Sequence, residues 1–450
     1  MNRSHAPSRL WVGFALLAVL GTASHGAPQG YLSDEEIAPS SIDQLTSVLD
    51  DIGLYRPDLA KSLLVPGVLG KFPATDDWLQ DSSLMVRSRS YYRYRDEGNG
   101  NIREAFATGG SIEFESGWLH DTFRLGLTGF TSQKLHGDAD RDGTGLLQLG
   151  QRGYTALGEA YLEVRHAGVT THLFRQEINV PFINRHDSRM TPKTFEAYLL
   201  STEDPLGISG LSVGGGHITK VKDRTSSRFV PLSHRAGVRN FDRGVSAIGA
   251  RYRLSEKAMV GATNQYGWDL WNTFYAEAEL TRPITGTSFT SKAGLQVIDQ
   301  RSIGDKLAGD FETQLFGASL ALGLRGFITS AAFTSTGDDS TVRNPWGGNP
   351  SYNSVMVSDF DRPGEDSYRL GFSYDFADLG LDGFSTFANF VHGEAPGSPD
   401  QDEWNLTVDY RQTQGLLKDF WIRIRAGQND REGGVTRDEF RVIFNYSRSF

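Results

Sequence analysis

The chain ends in Asp438-Glu439-Phe440-Arg441-Val442-Ile443-Phe444-Asn445-Tyr446-Ser447-Arg448-Ser449-Phe450, and this stretch decides the fold class. Phe440, Val442, Phe444, Tyr446 and Phe450 share one parity, while Glu439, Arg441, Asn445, Ser447 and Ser449 share the other. A period of two marks an extended strand with unlike faces, because successive side chains point to opposite sides of a sheet. Upstream, Phe420, Ile422 and Ile424 oppose Trp421, Arg423 and Arg425. Before them, Trp404, Leu406, Val408 and Tyr410 oppose Asn405, Thr407, Asp409 and Arg411. The alternation reaches back to about Leu84, in runs separated by Gly, Asp, Asn, Ser or Pro clusters.

The connections alternate too. Short turns, as at Ser255-Glu256-Lys257, Arg282-Pro283 and Gly323, are interleaved with long polar loops at 132–155, 177–193, 223–243 and 337–366. Short turns at one end and long loops at the other describe a transmembrane barrel of the bacterial outer membrane. The runs number about 18 strands, an even count that returns both termini to the same rim. Aromatic residues at strand ends (Tyr92, Tyr94, Trp118, Trp268, Trp271, Trp404, Tyr446 and Phe450) read as interfacial girdles. A soluble propeller or solenoid would show a fixed-period repeat, and none is present. The fold expected is therefore an all-β, antiparallel transmembrane β-barrel over residues 81–450.

Composition agrees by exclusion. A mean hydropathy of −0.38 rules out a bundle of membrane helices. With no cysteine, disulfides and thiolate chemistry are excluded. A net charge of −10 argues against nucleic acid as a partner. At the N-terminus, Arg3 and Arg9 precede the apolar run Leu10 to Leu20 and the small residues Thr22, Ala23, Ser24 and Gly26, the order of a secretory signal peptide over residues 1–26. Residues 27–80 read as a short helical extension or partial plug. Ser41-Ile42-Asp43-Gln44 resembles a capping box, Ile42, Leu45, Val48, Leu49 and Ile52 keep helical spacing, and Pro57 fits the start of a second helix.

If the apolar face meets lipid, the polar face lines a lumen. In the first strand the inward parity is Met85, Arg87, Arg89, Tyr91, Arg93 and Arg95. An arginine facing hydrocarbon at the membrane midplane costs ~2–4 kcal/mol, so these side chains belong inside. Closure pairs the first strand with the last, which sets Arg423 and Arg425, Arg441, and Arg87 and Arg89 on three adjacent strands. The expected result is a basic stripe, rising ~27 Å from Arg87 to Arg95. It offers carboxylates successive bidentate sites, weak and numerous enough for entry and release. The competing reading is that these arginines pair with lumen carboxylates such as Glu113, Glu115, Asp409 and Glu439.

Several segments resemble the OprD family of substrate-specific outer-membrane porins. The carriers are Asp187-Ser188-Arg189-Met190-Thr191-Pro192-Lys193-Thr194-Phe195-Glu196, Lys220-Val221-Lys222-Asp223-Arg224-Thr225-Ser226-Ser227, Gly143-Thr144-Gly145-Leu146-Leu147 and Tyr374-Asp375-Phe376-Ala377-Asp378-Leu379-Gly380. Asp81-Ser82-Ser83-Leu84 through Asp96 is also similar to the family's first strand. The resemblance implies an 18-stranded channel, often a homotrimer, narrowed by its third, fourth and seventh external loops. It implies small carboxyl-bearing substrates (amino acids, peptides, aromatic and other organic acids) and a basic ladder falling on Arg423, Arg425 and Arg441. The block from Asp187 to Glu196 corresponds to the inward-folded third loop, making Asp187, Arg189 and Glu196 constriction candidates. The terminal Phe450 is expected to be read by the barrel assembly machinery, and the outer surface to meet lipid and lipopolysaccharide.

Other motifs lead elsewhere or nowhere. Asp138-Ala139-Asp140-Arg141-Asp142-Gly143 copies half a calcium loop, but Leu149 stands where the twelfth-position Glu belongs, so a solvated acidic loop is expected and no metal site. Gly214-Gly215-Gly216 reads as a strand bend rather than a phosphate cradle. A barrel hydrolase would need a Ser or Asp with a positioned His; His172 and His392 are the candidates near strands, and neither has an identifiable partner. No cofactor is expected. The reading is a channel and not an enzyme, with a barrel hydrolase or a non-specific general porin as alternatives.

Overall fold

The computed structural model describes Trp78 and residues 81–449 apart from Leu416. The expected signal peptide, the expected helical segment 27–80 (Trp78 aside) and Phe450 lie outside the described residues.

Eighteen antiparallel strands close into a barrel. They are β1 (Ser83–Asp96), β2 (Ile102–Glu115), β3 (Phe123–His136), β4 (Tyr154–His166), β5 (Val169–Gln176) and β6 (Thr194–Glu203). Next come β7 (Leu211–Lys222), β8 (Val245–Ser255), β9 (Ala258–Gly267), β10 (Trp271–Pro283), β11 (Thr290–Ser302) and β12 (Glu312–Leu324). The circuit ends with β13 (Phe327–Thr336), β14 (Asp366–Asp375), β15 (Phe384–Ala395), β16 (Ser398–Arg411), β17 (Trp421–Arg431) and β18 (Arg437–Ser449). Closure is by β1 against β18, in unbroken register from Met85↔Ser449 to Asp96↔Asp438. Every strand thus has two neighbours, which leaves no unpaired edge in hydrocarbon. Among the described residues no helix is long and apolar enough to cross a membrane, so the strands make the crossing.

The parity read from sequence holds along the wall. Ile112, Ile248, Leu406 and Trp404 are exposed on the outer face, whereas Tyr91, Arg93, Glu439 and Arg441 are buried on the inner one. Two polar residues on the outer parity, Asn264 and Asn272, satisfy each other through reciprocal amide hydrogen bonds of 2.8 and 2.9 Å. Turns 167–168, 256–257 and 325–326 lie at one rim, and the long loops 137–153, 177–193, 223–244 and 337–365 spring from the other.

Those long loops turn inward, and here the structure departs from a uniformly polar lumen. Ile178, Val180 and Ile183 of loop 177–193 pack with Leu232 of loop 223–244 and Trp346 of loop 337–365. They meet the inward wall residues Phe195, Ala197, Leu199, Ile218, Val245 and Trp271. Trp271, expected in an interfacial girdle, is buried inside and stacked on Trp346 at 4.7 Å. The reason is parity: Trp271, Thr273 and Tyr275 alternate inward on β10, and a strand-end aromatic is an anchor only on the outer parity. The loops are also braced by polar bonds. Asn184 donates to Gly348 O at 3.3 Å and accepts from Gly348 N at 2.7 Å, and Lys193 Nζ donates to Pro345 O at 2.7 Å.

Candidate functional site

The inner wall of β17, β18 and β1 carries the arginines that parity selected. Pairing places Arg425 opposite Arg441, and Arg441 opposite Arg93, so three guanidiniums form one cross-strand row. Neighbouring strands lie only ~4.8 Å apart, and like charges directly opposed repel. One carboxylate answers this row. Glu439 Oε1 accepts Arg93 Nε and Arg441 Nε, each at 2.6 Å, and Oε2 accepts Arg95 Nη1 at 3.2 Å. Its side chain is fully buried. Arg93 also donates to Thr144 O of the inward loop 137–153, and Arg441 Nη2 donates to Met356 O of loop 337–365 at 3.1 Å. Arg425 has only the Thr407 hydroxyl, at 3.1 Å from Nε, and no carboxylate partner among the described residues.

The remaining ladder positions are paired. Asp409 receives Arg423 through two bonds, at 2.7 and 2.8 Å, in a fork-to-fork arrangement. Arg87 pairs with Glu113 at 3.0 Å. Arg89 grips Asp187 with Nη1 at 2.6 Å and Nη2 at 3.1 Å. Asp187 therefore sits where loop 177–193 meets the ladder. Burial opposes its ionisation, but the charges of Arg89 and Arg185 outweigh burial and hold its carboxyl below the usual range. Arg189 donates to Ser188 O at 2.7 Å. Burial, with the like charges of Arg93, Arg224 and Arg441, holds its guanidinium well below the ordinary value. Glu196, expected with the constriction, belongs to β6, where Arg175 at 3.1 Å and Lys220 at 2.8 Å take its carboxylate.

On the short-turn side lies a cavity of about 650 Å³. Arg87, Arg89, Arg124 and Arg185 line it together with Glu113, Glu115, Glu159 and Glu177. Sequence reading missed several members of this assembly. Arg185 bridges Asp187 at 3.0 Å, and Arg224 donates to Ser188 Oγ at 2.6 Å; both lie in loops, where no periodicity announces direction. Loop 137–153 combines an acidic half with an apolar one. Asp142 there accepts the amides of Gly143 (2.7 Å) and Gly150 (2.6 Å), while Leu146 and Leu147 fold into the lumen beside Tyr91 and Met190.

With the geometry in place, comparison with known proteins decides the family. The sequence profile described as outer membrane porin, OprD family, matches residues 76–450. The chain belongs to the OprD family. It is 24% identical over 411 residues to Porin D of Pseudomonas aeruginosa, spanning 83% of this chain and 92% of that protein. In three dimensions it is similar to P. aeruginosa OccK9 (OpdG), at TM-score 0.77 and 25% identity, covering 83% of this chain and all of that one. The structure of P. aeruginosa OpdK with vanillate gives 0.75 and 22% over the same 83% and its full length. A BenF-like porin of Pseudomonas fluorescens Pf-5 gives 0.75 and 21%, again over 83% of this chain and the whole of that one. This OprD-family protein is thus an outer-membrane channel and not an enzyme.

Loop 337–365 carries a pair of buried acids. Asp361 accepts Thr341 Oγ1 at 2.9 Å and Asn349 Nδ2 at 2.8 Å. Burial, followed by the charge of Asp359, pushes Asp361 up to about 8, and burial raises Asp359 as well. An acid whose folded pKa lies above its unfolded value takes up a proton on folding. Its contribution to loop packing is full below the ordinary carboxyl range and is lost as pH rises through about 8. Single-channel recordings are therefore expected to show larger, noisier currents as pH is raised through this value. Asp361→Asn should remove that dependence, and an identical pH response in the variant refutes the assignment.

Proposed function

We propose that this porin carries small carboxylate-bearing solutes along the arginine row. The supporting observation is the charge count across β17, β18 and β1: Arg93, Arg441 and Arg425 stand in register, Glu439 serves the first two, and Arg425 pairs with no carboxylate among the described residues. A solute carboxylate supplies the missing anion, and the neighbouring guanidiniums let it move on without a deep trap. Asp409, Glu439 and Asp187 keep the remaining arginines from binding it irreversibly. OpdK, a structural relative solved with vanillate, was captured with a solute of this chemistry. The packed inner loops support selective passage over the open bore of a general porin. The ladder positions Arg87, Arg89, Arg93, Arg95, Arg423, Arg425 and Arg441, with Asp187 and Arg189 at the narrowing, are the residues to which this role is assigned.

The test is transport by the purified protein in planar bilayers and liposomes, using amino acids, short peptides, aromatic acids and neutral sugars of matched size. Carboxylates are expected to permeate faster than sugars and to interrupt the salt current. Equal permeation of sugars and acids, with no interruption by any acid, overturns the proposal.

A further inference from the structure

Among the described residues, the buried carboxylate of Glu403 on the inner wall has no paired cation. Glu403, on the inward parity of β16, is fully buried, and among the described residues no lysine or arginine pairs with it. Its two oxygens accept two consecutive backbone amides of loop 337–365, Val357 N at 2.8 Å and Ser358 N at 2.9 Å. The adjoining carbonyl of Met356 takes Arg441 Nη2 at 3.1 Å. Three successive residues of the loop are therefore tied to the arginine-bearing wall. The Met356 side chain lies against Gly427, where an added Cβ would stand 3.3 and 3.4 Å from its Cε and Sδ. Gly427 is the next inward position after Arg425, so the loop tip rests beside the guanidinium that lacks a carboxylate, and Arg425 is only 8% exposed. Asn429 Nδ2 of the wall also reaches Oε2, at 3.5 Å, and burying a charge among such neutral donors is costly. An apolar side chain would pack there without that cost, but it could not accept the two amides.

We propose that Glu403 is a positioning residue for transport: its carboxylate latches residues 356–358 onto the ladder wall and so sets the bore beside Arg425. The inference concerns where the loop stands and does not depend on which solute the channel prefers. Glu403→Gln keeps the shape but turns one acceptor into a donor facing an N–H, which removes one of the two bonds to the loop. Because the natural chain has no cysteine, Met356→Cys gives a background-free reporter of the loop tip.

The experiment measures the rate at which a charged methanethiosulfonate labels Cys at 356 with and without E403Q, alongside single-channel conductance in KCl. The latch predicts labelling about 10-fold faster in M356C/E403Q, the order expected for one lost charge-assisted hydrogen bond. It also predicts a higher conductance and an unchanged heat-modifiable mobility of the folded barrel. Should E403Q fail to assemble, Val357→Pro removes a donor from the loop side, leaves the wall intact, and is expected to act alike. Equal labelling rates and equal conductance in an assembled variant overturn the proposal, as does labelling that accelerates without any change in conductance.

Discussion

Replacing Arg425 by alanine is expected to cut carboxylate flux while leaving the barrel as stable as before. The reasoning rests on what Arg425 lacks. Its only side-chain hydrogen-bond partner among the described residues is Thr407, a hydroxyl that can turn to other acceptors, so removing the guanidinium strands no described carboxylate. A hydrogen bond to a charged group is worth ~1.5–3 kcal/mol, which corresponds to about 10–100-fold in occupancy by an acid. The neutral-sugar rate should hardly move. Arg441→Ala is expected to give a mixed result, because it also deprives Glu439 of one guanidinium and Met356 O of its donor. Arg423→Ala leaves Asp409, among the described residues, with Trp421 Nε1 at 3.2 Å. Liposome uptake of a radiolabelled acid against a sugar, with melting of each variant followed by circular dichroism, separates the two effects. Unchanged acid uptake in R425A would falsify the proposed pathway.

The second large effect concerns the loops inside the barrel. Trp346→Ala is expected to loosen loop 337–365 around position 346. Trp346 is almost fully buried, stacks on Trp271 with planes 7° apart, and donates from Nε1 to Leu232 O at 2.9 Å. Truncating a buried Trp costs ~3–5 kcal/mol, a loss felt where the loop packs on Leu232 and Trp271. Val342 in a second apolar cluster and the bonds to Gln296, Gln300 and Glu403 still hold other parts of it. The wall is secured by an unbroken circuit of strand pairing and should not feel the loss. Conductance is expected to rise severalfold and preference for acids over sugars to fall, with melting of the barrel unchanged. A variant with the natural conductance and preference shows that the tryptophan stack does not hold the narrowing.

Much of this architecture was legible because a strand writes its two faces into alternate residues. The segment Arg437–Ser449 needed no partner to reveal which side chains meet lipid, and closure then put Arg441 on the strand next to Arg87 and Arg89. The cross-strand row could not be read, because register depends on pairing partners and the sequence gives only parity. Glu439 was visible as a lumen carboxylate, yet its service to three arginines depends on that register. Loop residues escaped for a different reason. Arg185, Arg224 and Val357 sit in irregular backbone, where direction is fixed by contacts far away in the chain. Trp271 shows the limit of composition, since an aromatic at a strand end is an anchor or a core residue according to parity alone.

The seam between β1 and β18 links transport to biogenesis. Arg93 comes from the first strand of the barrel and Glu439 from the last, and their contact at 2.6 Å spans 346 positions of the chain. While the barrel is open these two groups are solvated separately, and the row of three guanidiniums does not exist. Closure therefore assembles the site and completes the wall in one step. A chain that stalls before its final hairpin inserts has neither a sealed edge nor a selective path, so transport competence reports that synthesis and insertion have reached the end.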